Sequence, residues 1–163
     1  MSASQRGMTL VELVMAIALA GIMVVALMSS YSSIVSHSSD PMVRAQSLAI
    51  AESFLEEASN KAFLDPATGN RCPTPESSRA SFNNVCDYNG YAASTITLPS
   101  GTVVSGLTGY SIAISVAAIA SGELGSVSTN CALKVTVSVT GPLNETLSIV
   151  GYRTDYESTP PCS

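Results

Sequence analysis

Positive charge, histidine and catalytic signatures are what this chain of 163 residues has least of. Lys and Arg number seven against twelve Asp and Glu, for a formal net charge of −5. They are scattered, with no basic run and no interleaving of basic and aromatic residues, so nucleic acid is not an expected partner. Charged residues are 12 % of the sequence, about half the usual quarter, while Ser, Thr, Ala and Gly abound, as is common in exported surface proteins. The single histidine, His37, lies in a Ser-rich stretch beside an apolar segment and reads as an exposed polar residue. Any Ser-His or Cys-His pairing would have to use it. No G-x-S-x-G, P-loop or H-E-x-x-H pattern occurs, so the chain reads as a non-enzyme without a cofactor. Asp65, Asp87, Asp155 and Glu157 lack the spacing of a calcium loop. Asn144-Glu145-Thr146 matches a glycosylation sequon, but reads as a turn.

Cysteine is sparse but even in number: Cys72, Cys86, Cys131 and Cys162, all after the apolar segment. This predicts two disulfides in an oxidising compartment on the far side of a membrane. The long, irregular spacings without C-x-x-C argue against a metal site. Of the three possible pairings, Cys72–Cys86 with Cys131–Cys162 is favoured. The first brackets a long loop, and the second ties the tail to a strand beginning near Leu133.

What is abundant is apolar sequence at the N-terminus. Arg6-Gly7-Met8-Thr9-Leu10-Val11-Glu12-Leu13 opens a run that reaches Met28 with no further charge. Met8 to Met28 is 21 residues, about 31 Å of α-helix, close to the roughly 30 Å hydrocarbon core of a bilayer. Glu12 is out of place in a plain anchor, because a carboxylate well inside a bilayer costs about 2–3 kcal/mol. An ordinary secretory signal, with Ala18-Leu19-Ala20 as its cleavage site, leaves Glu12 breaking the apolar region. A simple signal anchor gives Glu12 no role. Neither accounts for Gly7 and Glu12 together.

Beyond Met28, Ser29 to Ser33 reads as the helix emerging from the membrane with Tyr31 at the interface. Asp40-Pro41 predicts a kink or short break at Ser38 to Asp40. From Met42 to Phe63 a second helix is predicted, with Val43, Ile50, Ala51, Phe54, Leu55, Ala58 and Ala62 on its apolar face. Glu57 and Lys61 stand in the favourable i,i+4 order. Asp65-Pro66-Ala67-Thr68-Gly69-Asn70 ends it, and a Pro-, Ser- and Asn-rich loop runs to Tyr91. As a tolerated surface loop or as a binding loop, it calls for the Cys72–Cys86 staple. The remainder alternates as strands: Ser94 to Leu98, Thr102 to Val104, Tyr110 to Val116, Leu133 to Val139, and Glu145 to Arg153 after the Gly141-Pro142-Leu143-Asn144 turn. The fold class is α+β, with a small antiparallel sheet of three or four strands covered by the second helix.

A short polar leader ending in Gly7, then Met8, Thr9, two aliphatics, Glu12 and a helix-forming apolar run resembles the type IV pilin signature. The segments Asp40-Pro41 through Leu55-Glu56-Glu57, Gly109-Tyr110 and Tyr152-Arg153 look like the MshD group of minor pilins of the mannose-sensitive haemagglutinin pilus. Two features depart from major pilins: no proline interrupts the apolar half of the helix, and the four-cysteine pattern exceeds a single C-terminal disulfide loop. The resemblance implies a pilin-like fold and the following domains: leader 1–7, membrane or filament-core helix 8–28, and periplasmic globular domain 29–163. That domain divides into helix to about 63, stapled loop 64–92, sheet 93–156 and tail 157–163. The resemblance further implies cleavage after Gly7 by a prepilin peptidase, N-methylation of Met8, and an assembly role for Glu12 and Thr9 facing a neighbour's N-terminal amine. The partners implied are other pilin subunits through the N-terminal helix, the peptidase, the inner-membrane assembly machinery, and lipid before assembly. The location implied is the bacterial inner membrane as a single-pass protein, then the pilus surface. A type II secretion pseudopilin and a signal-anchored periplasmic binding or adhesion module are the alternatives.

Overall fold

The computed structural model describes residues 9–37, 40–156 and 162. The expected leader, Met8, the predicted break at Ser38 and Ser39, and Glu157 lie outside the described residues. The chain divides into two compact units, Met1–Met42 and Val43–Ser163. The first is dominated by α1 (Leu10–His37). A second helix, α2 (Asp40–Ser59), starts at Asp40 with Pro41 in its first turn, where a missing N–H removes nothing the helix needs.

Within the second unit, α2 buries Ser47, Ile50, Ala51, Phe54 and Ala58, with Val43 and Leu55 half-buried, the face its periodicity predicts. The helix stops at Ser59 rather than reaching Phe63. The Lys61 amide tightens onto the Ala58 carbonyl, and the Ala62 carbonyl accepts from the Val85 amide at 3.1 Å. Ala62 therefore forms a parallel bridge with Asn84 and leaves the helical face on which it was expected. A returning segment captured this backbone, a competition that local periodicity does not register.

Four antiparallel strands follow in the order β1-β2-β3-β4: β1 (Ala92–Ala93), β2 (Ser111–Ala118), β3 (Ala132–Thr140) and β4 (Thr146–Thr154). The last three lie within a residue or two of prediction, and β2 and β3 turn alternate side chains, such as Ile112, Ile114, Val135 and Val137, into the core under α2. Ser94 to Leu98 and Thr102 to Val104 do not join the sheet, contrary to expectation. They close on each other as a small hairpin, with Leu98 donating to Thr102 and Val104 to Ile96, and only Thr97 and Val103 bridge. Residues 89–93 already occupy the β2 edge that this hairpin would have needed. The long loop carries two 3₁₀ turns, Arg79–Ser81 and Val85–Tyr88, the second buried and capped by Asn84.

Candidate functional site

In the first unit, Thr9 caps α1. Its hydroxyl accepts from the Glu12 backbone amide at 3.3 Å, and its carbonyl from the Leu13 amide at 3.1 Å. Thr-x-x-Glu is the pattern of a capping box, and it places the Glu12 carboxylate at the electropositive end of the helix. The spacing of Thr9 and Glu12 in the sequence carries this signal. Every side chain from Leu10 to Tyr31 is exposed, and this is the described helix long and apolar enough to cross a membrane. At 22 residues it spans about 33 Å. Ser30 returns its hydroxyl to the Ala26 carbonyl at 3.0 Å, hiding a polar group at the end of the apolar stretch. Chemically the element is an apolar rod with one carboxylate in its first turn.

The second unit is organised around Arg79. Its Nε donates to Glu57 Oε1 at 2.9 Å, a second guanidinium nitrogen contacts Oε2, and the third donates to the Thr97 carbonyl at 2.5 Å. The guanidinium lies 4.0 Å over the Phe54 ring, and Tyr88 donates its hydroxyl to Glu57 Oε1 at 2.7 Å. Burial pushes the Glu57 carboxyl up, but hydrogen bonds from Arg79 and Tyr88 and the guanidinium charge outweigh it and hold the pKa below the ordinary value. Burial lowers Arg79, and its pairing with Glu57 more than restores it. Tyr88 is pushed far up by burial and by the adjacent carboxylate. The expected Glu57–Lys61 pair is not what forms: Lys61 instead donates to the Phe82 carbonyl at 2.7 Å. Glu57 and Arg79 are 22 residues apart, so spacing could not reveal the pair. Beside this cluster a cleft of about 340 Å³ runs between α2 and the 96–104 hairpin, lined mainly by apolar groups such as Ile50, Phe54, Ile96 and Leu98.

Disulfides join Cys72 to Cys86 and Cys131 to Cys162. Two of the acidic residues, Asp65 and Asp87, serve neighbouring backbone. Asp65 accepts from the Ala67 and Thr68 amides, and Asp87 from those of Glu76, Asn83 and Asn84. No cluster able to hold a metal occurs among the described residues. Asn144 is at φ +60° in the β3–β4 turn, a left-handed position that asparagine tolerates and the turn requires. On the sheet's outer face, Glu123 accepts from Lys134 at 2.7 Å, Tyr152 at 2.9 Å and the Ala120 amide at 2.8 Å. The Lys134 bond is the largest cause of a Glu123 pKa lowered to about 2.

The structure thus brings Thr9 and Glu12 together at the start of α1. Residues 2–28 match the family model described as the prokaryotic N-terminal methylation motif. No curated protein and no solved structure matches the chain. The match supports a type IV pilin-like or pseudopilin protein, which suggests a structural role. The long apolar helix followed by a small antiparallel sheet is the α+β arrangement consistent with a pilin fold.

Proposed function

We propose that this chain is a minor pilin, a non-enzymatic subunit of a type IV pilus of the MSHA-like kind. The observation that carries the reading is the methylation-motif match over residues 2–28 on an exposed apolar helix whose first turn holds Glu12. In this reading Met1 to Gly7 is a leader, a prepilin peptidase hydrolyses the Gly7–Met8 peptide bond, and the freed Met8 amine is methylated. Residues 8–28 lie in the inner membrane, residues 29–163 face the periplasm, and the protein then passes through the assembly machinery to the cell surface. Thr9 holds the first turn through the Glu12 backbone amide, which leaves the Glu12 carboxylate available to a neighbouring subunit. Once helices leave lipid for a filament core, a carboxylate needs a partner, and a mature N-terminal ammonium is the nearest cation such a chain supplies.

The test is maturation and destination together. Mass spectrometry of the membrane-bound protein is expected to show a chain beginning at methylated Met8, and Gly7→Trp is expected to leave the leader attached. Sheared pili are expected to contain the wild-type protein. A mature N-terminus elsewhere, or unchanged processing of Gly7→Trp, refutes the pilin reading. Correct processing with the protein confined to a secretion apparatus would assign it as a type II secretion pseudopilin.

A further inference from the structure

The two lateral edges of the sheet are treated in opposite ways. Along β2 the outer edge is closed. β1 pairs with Ile112 and Ala113, Ile114 donates to the Tyr91 carbonyl at 2.8 Å and accepts from the Gly90 amide at 3.1 Å, and the Val116 amide donates to Asn89 Oδ1 at 3.0 Å. Asn89 substitutes for a strand where the neighbouring backbone has turned away. β4 is the other lateral strand, nine residues long, with β3 on one side and no partner on the other among the described residues.

Register decides which groups that edge offers. In an antiparallel ladder, opposed residues alternate between pairs that exchange backbone hydrogen bonds and pairs that turn those groups outward. Gly141 donates to the Glu145 carbonyl at one end of the hairpin, and Asp155 to the Cys131 carbonyl at the other. Both keep the offset of the β3–β4 ladder, so the odd-numbered residues of β4 bond β3. Thr146, Ser148, Val150, Tyr152 and Thr154 turn their N–H and C=O groups to the open edge. The hydroxyl contacts Thr140–Thr146 and Ser138–Ser148, each 2.8 Å, agree with this, because side chains approach closest in the non-bonded pairs. Arg153 takes the Thr154 carbonyl at 2.8 Å. Thr146, Ser148, Val150 and Tyr152 are left with both groups open. Proteins blunt such an edge with lysines, proline, bulges or short strands. From Thr146 to Tyr152 there is none of these, and Val150 and Tyr152 are 46 % and 42 % exposed.

We propose that the β4 edge is a pairing surface for a second copy of this chain, joined β4 to β4, antiparallel, about a two-fold axis at Ile149. With the β2 edge closed, β4 is the edge that each copy can offer, and the same surface used on both sides closes at two instead of growing. An axis at Ile149 sets Thr146 opposite Tyr152 and Ser148 opposite Val150, each across the axis, so all the open groups of these residues are bonded. It brings no like charges face to face: Glu145 falls opposite Arg153, whose side chain is buried and held by the Lys61 carbonyl of its own chain. One strand pair is smaller than the roughly 1,200–2,000 Å² interface of stable soluble complexes. Pairing therefore depends on confinement of both copies to one surface, and to that extent it rests on the membrane reading of α1.

The test uses the full chain in phosphatidylethanolamine–phosphatidylglycerol vesicles, with a photo-crosslinking benzoylphenylalanine replacing Tyr152. Flotation reports insertion separately. Irradiation is expected to give a two-chain adduct and nothing larger, linked near Thr146. Ser148→Pro removes an outward N–H on each copy while sparing the β3 ladder, and is expected to lower the adduct about tenfold or more. Val150→Lys, which sets ammonium groups close together at the axis, is expected to do the same without touching the backbone, and covers the case in which the proline variant misfolds. An adduct unchanged by both variants, one linked only within α1, or none in vesicles that carry the protein overturns the proposal. So does a link in native membranes solely to a different polypeptide. Protein that fails to float refutes the membrane reading instead, and the pairing is then judged by the same variants in detergent at matched concentration.

Discussion

Replacing Arg79 with methionine removes one guanidinium and tests the connection it makes between α2, the disulfide-stapled loop and the 96–104 hairpin. Methionine fills much of the same volume over Phe54 but leaves the Glu57 carboxylate with Tyr88 as its one remaining hydrogen-bond donor. The two side chains are only 8 % and 19 % exposed. Stripping one partner from a buried pair costs about 3–5 kcal/mol, and the residual exposure with the retained Tyr88 bond sets the expectation at about 3 kcal/mol. For a unit of this size that is a fall in Tm of roughly 10–12 °C. Glu57→Gln is expected to cost a similar amount, and the double variant less than the sum by about 1.5–3 kcal/mol, because the orphaned charge is then gone. The chain has six tyrosines and no tryptophan, so near-UV circular dichroism of tyrosine follows unfolding of the full chain in detergent. The folded Glu57 pKa is depressed, so its contribution is complete above the ordinary carboxylate range and is lost as pH falls through the depressed value. The gap between wild type and Arg79→Met should therefore narrow in acid. Additive single-variant costs, or a gap constant with pH, would refute the coupling.

Other substitutions probe other parts of the chain. Glu12→Ala keeps the Thr9 cap, which uses the Glu12 backbone amide, so the variant should insert and mature. Its ratio in sheared pili to membranes should drop by about two to three orders of magnitude, and an unchanged ratio returns Glu12 to a passive role. Gly151→Ala places a Cβ 2.8 Å from Leu55 Cδ1 and should destabilise by about 1–3 kcal/mol, with partial rescue by Leu55→Val. A melt that does not move counts against that packing. Replacing both Cys72 and Cys86 with alanine opens a bridge of sequence separation 14 and should cost about 3 kcal/mol. Peptide mapping without reduction should recover Cys72 with Cys86 and Cys131 with Cys162.

Determined by sequence alone were the features whose physics is local. The apolar run around Glu12, the helical spacing of Ile50, Phe54 and Ala58, and the period-two alternation through β2 and β3 each follow from neighbours a few residues away. What only the tertiary structure decided were contacts between segments distant in sequence. Glu57 chose Arg79 over the nearby Lys61, because the loop returns a planar, multi-donor cation over Phe54 to a half-buried site. Ala62 left the helix for a bridge with Asn84, and Ser94 to Leu98 folded on themselves because residues 89–93 had closed the β2 edge. The same closure left β4 as the open edge. Periodicity states which face of an element is apolar, but backbone donors and acceptors are alike along the chain, so which of them remain unpaired depends on where the chain returns.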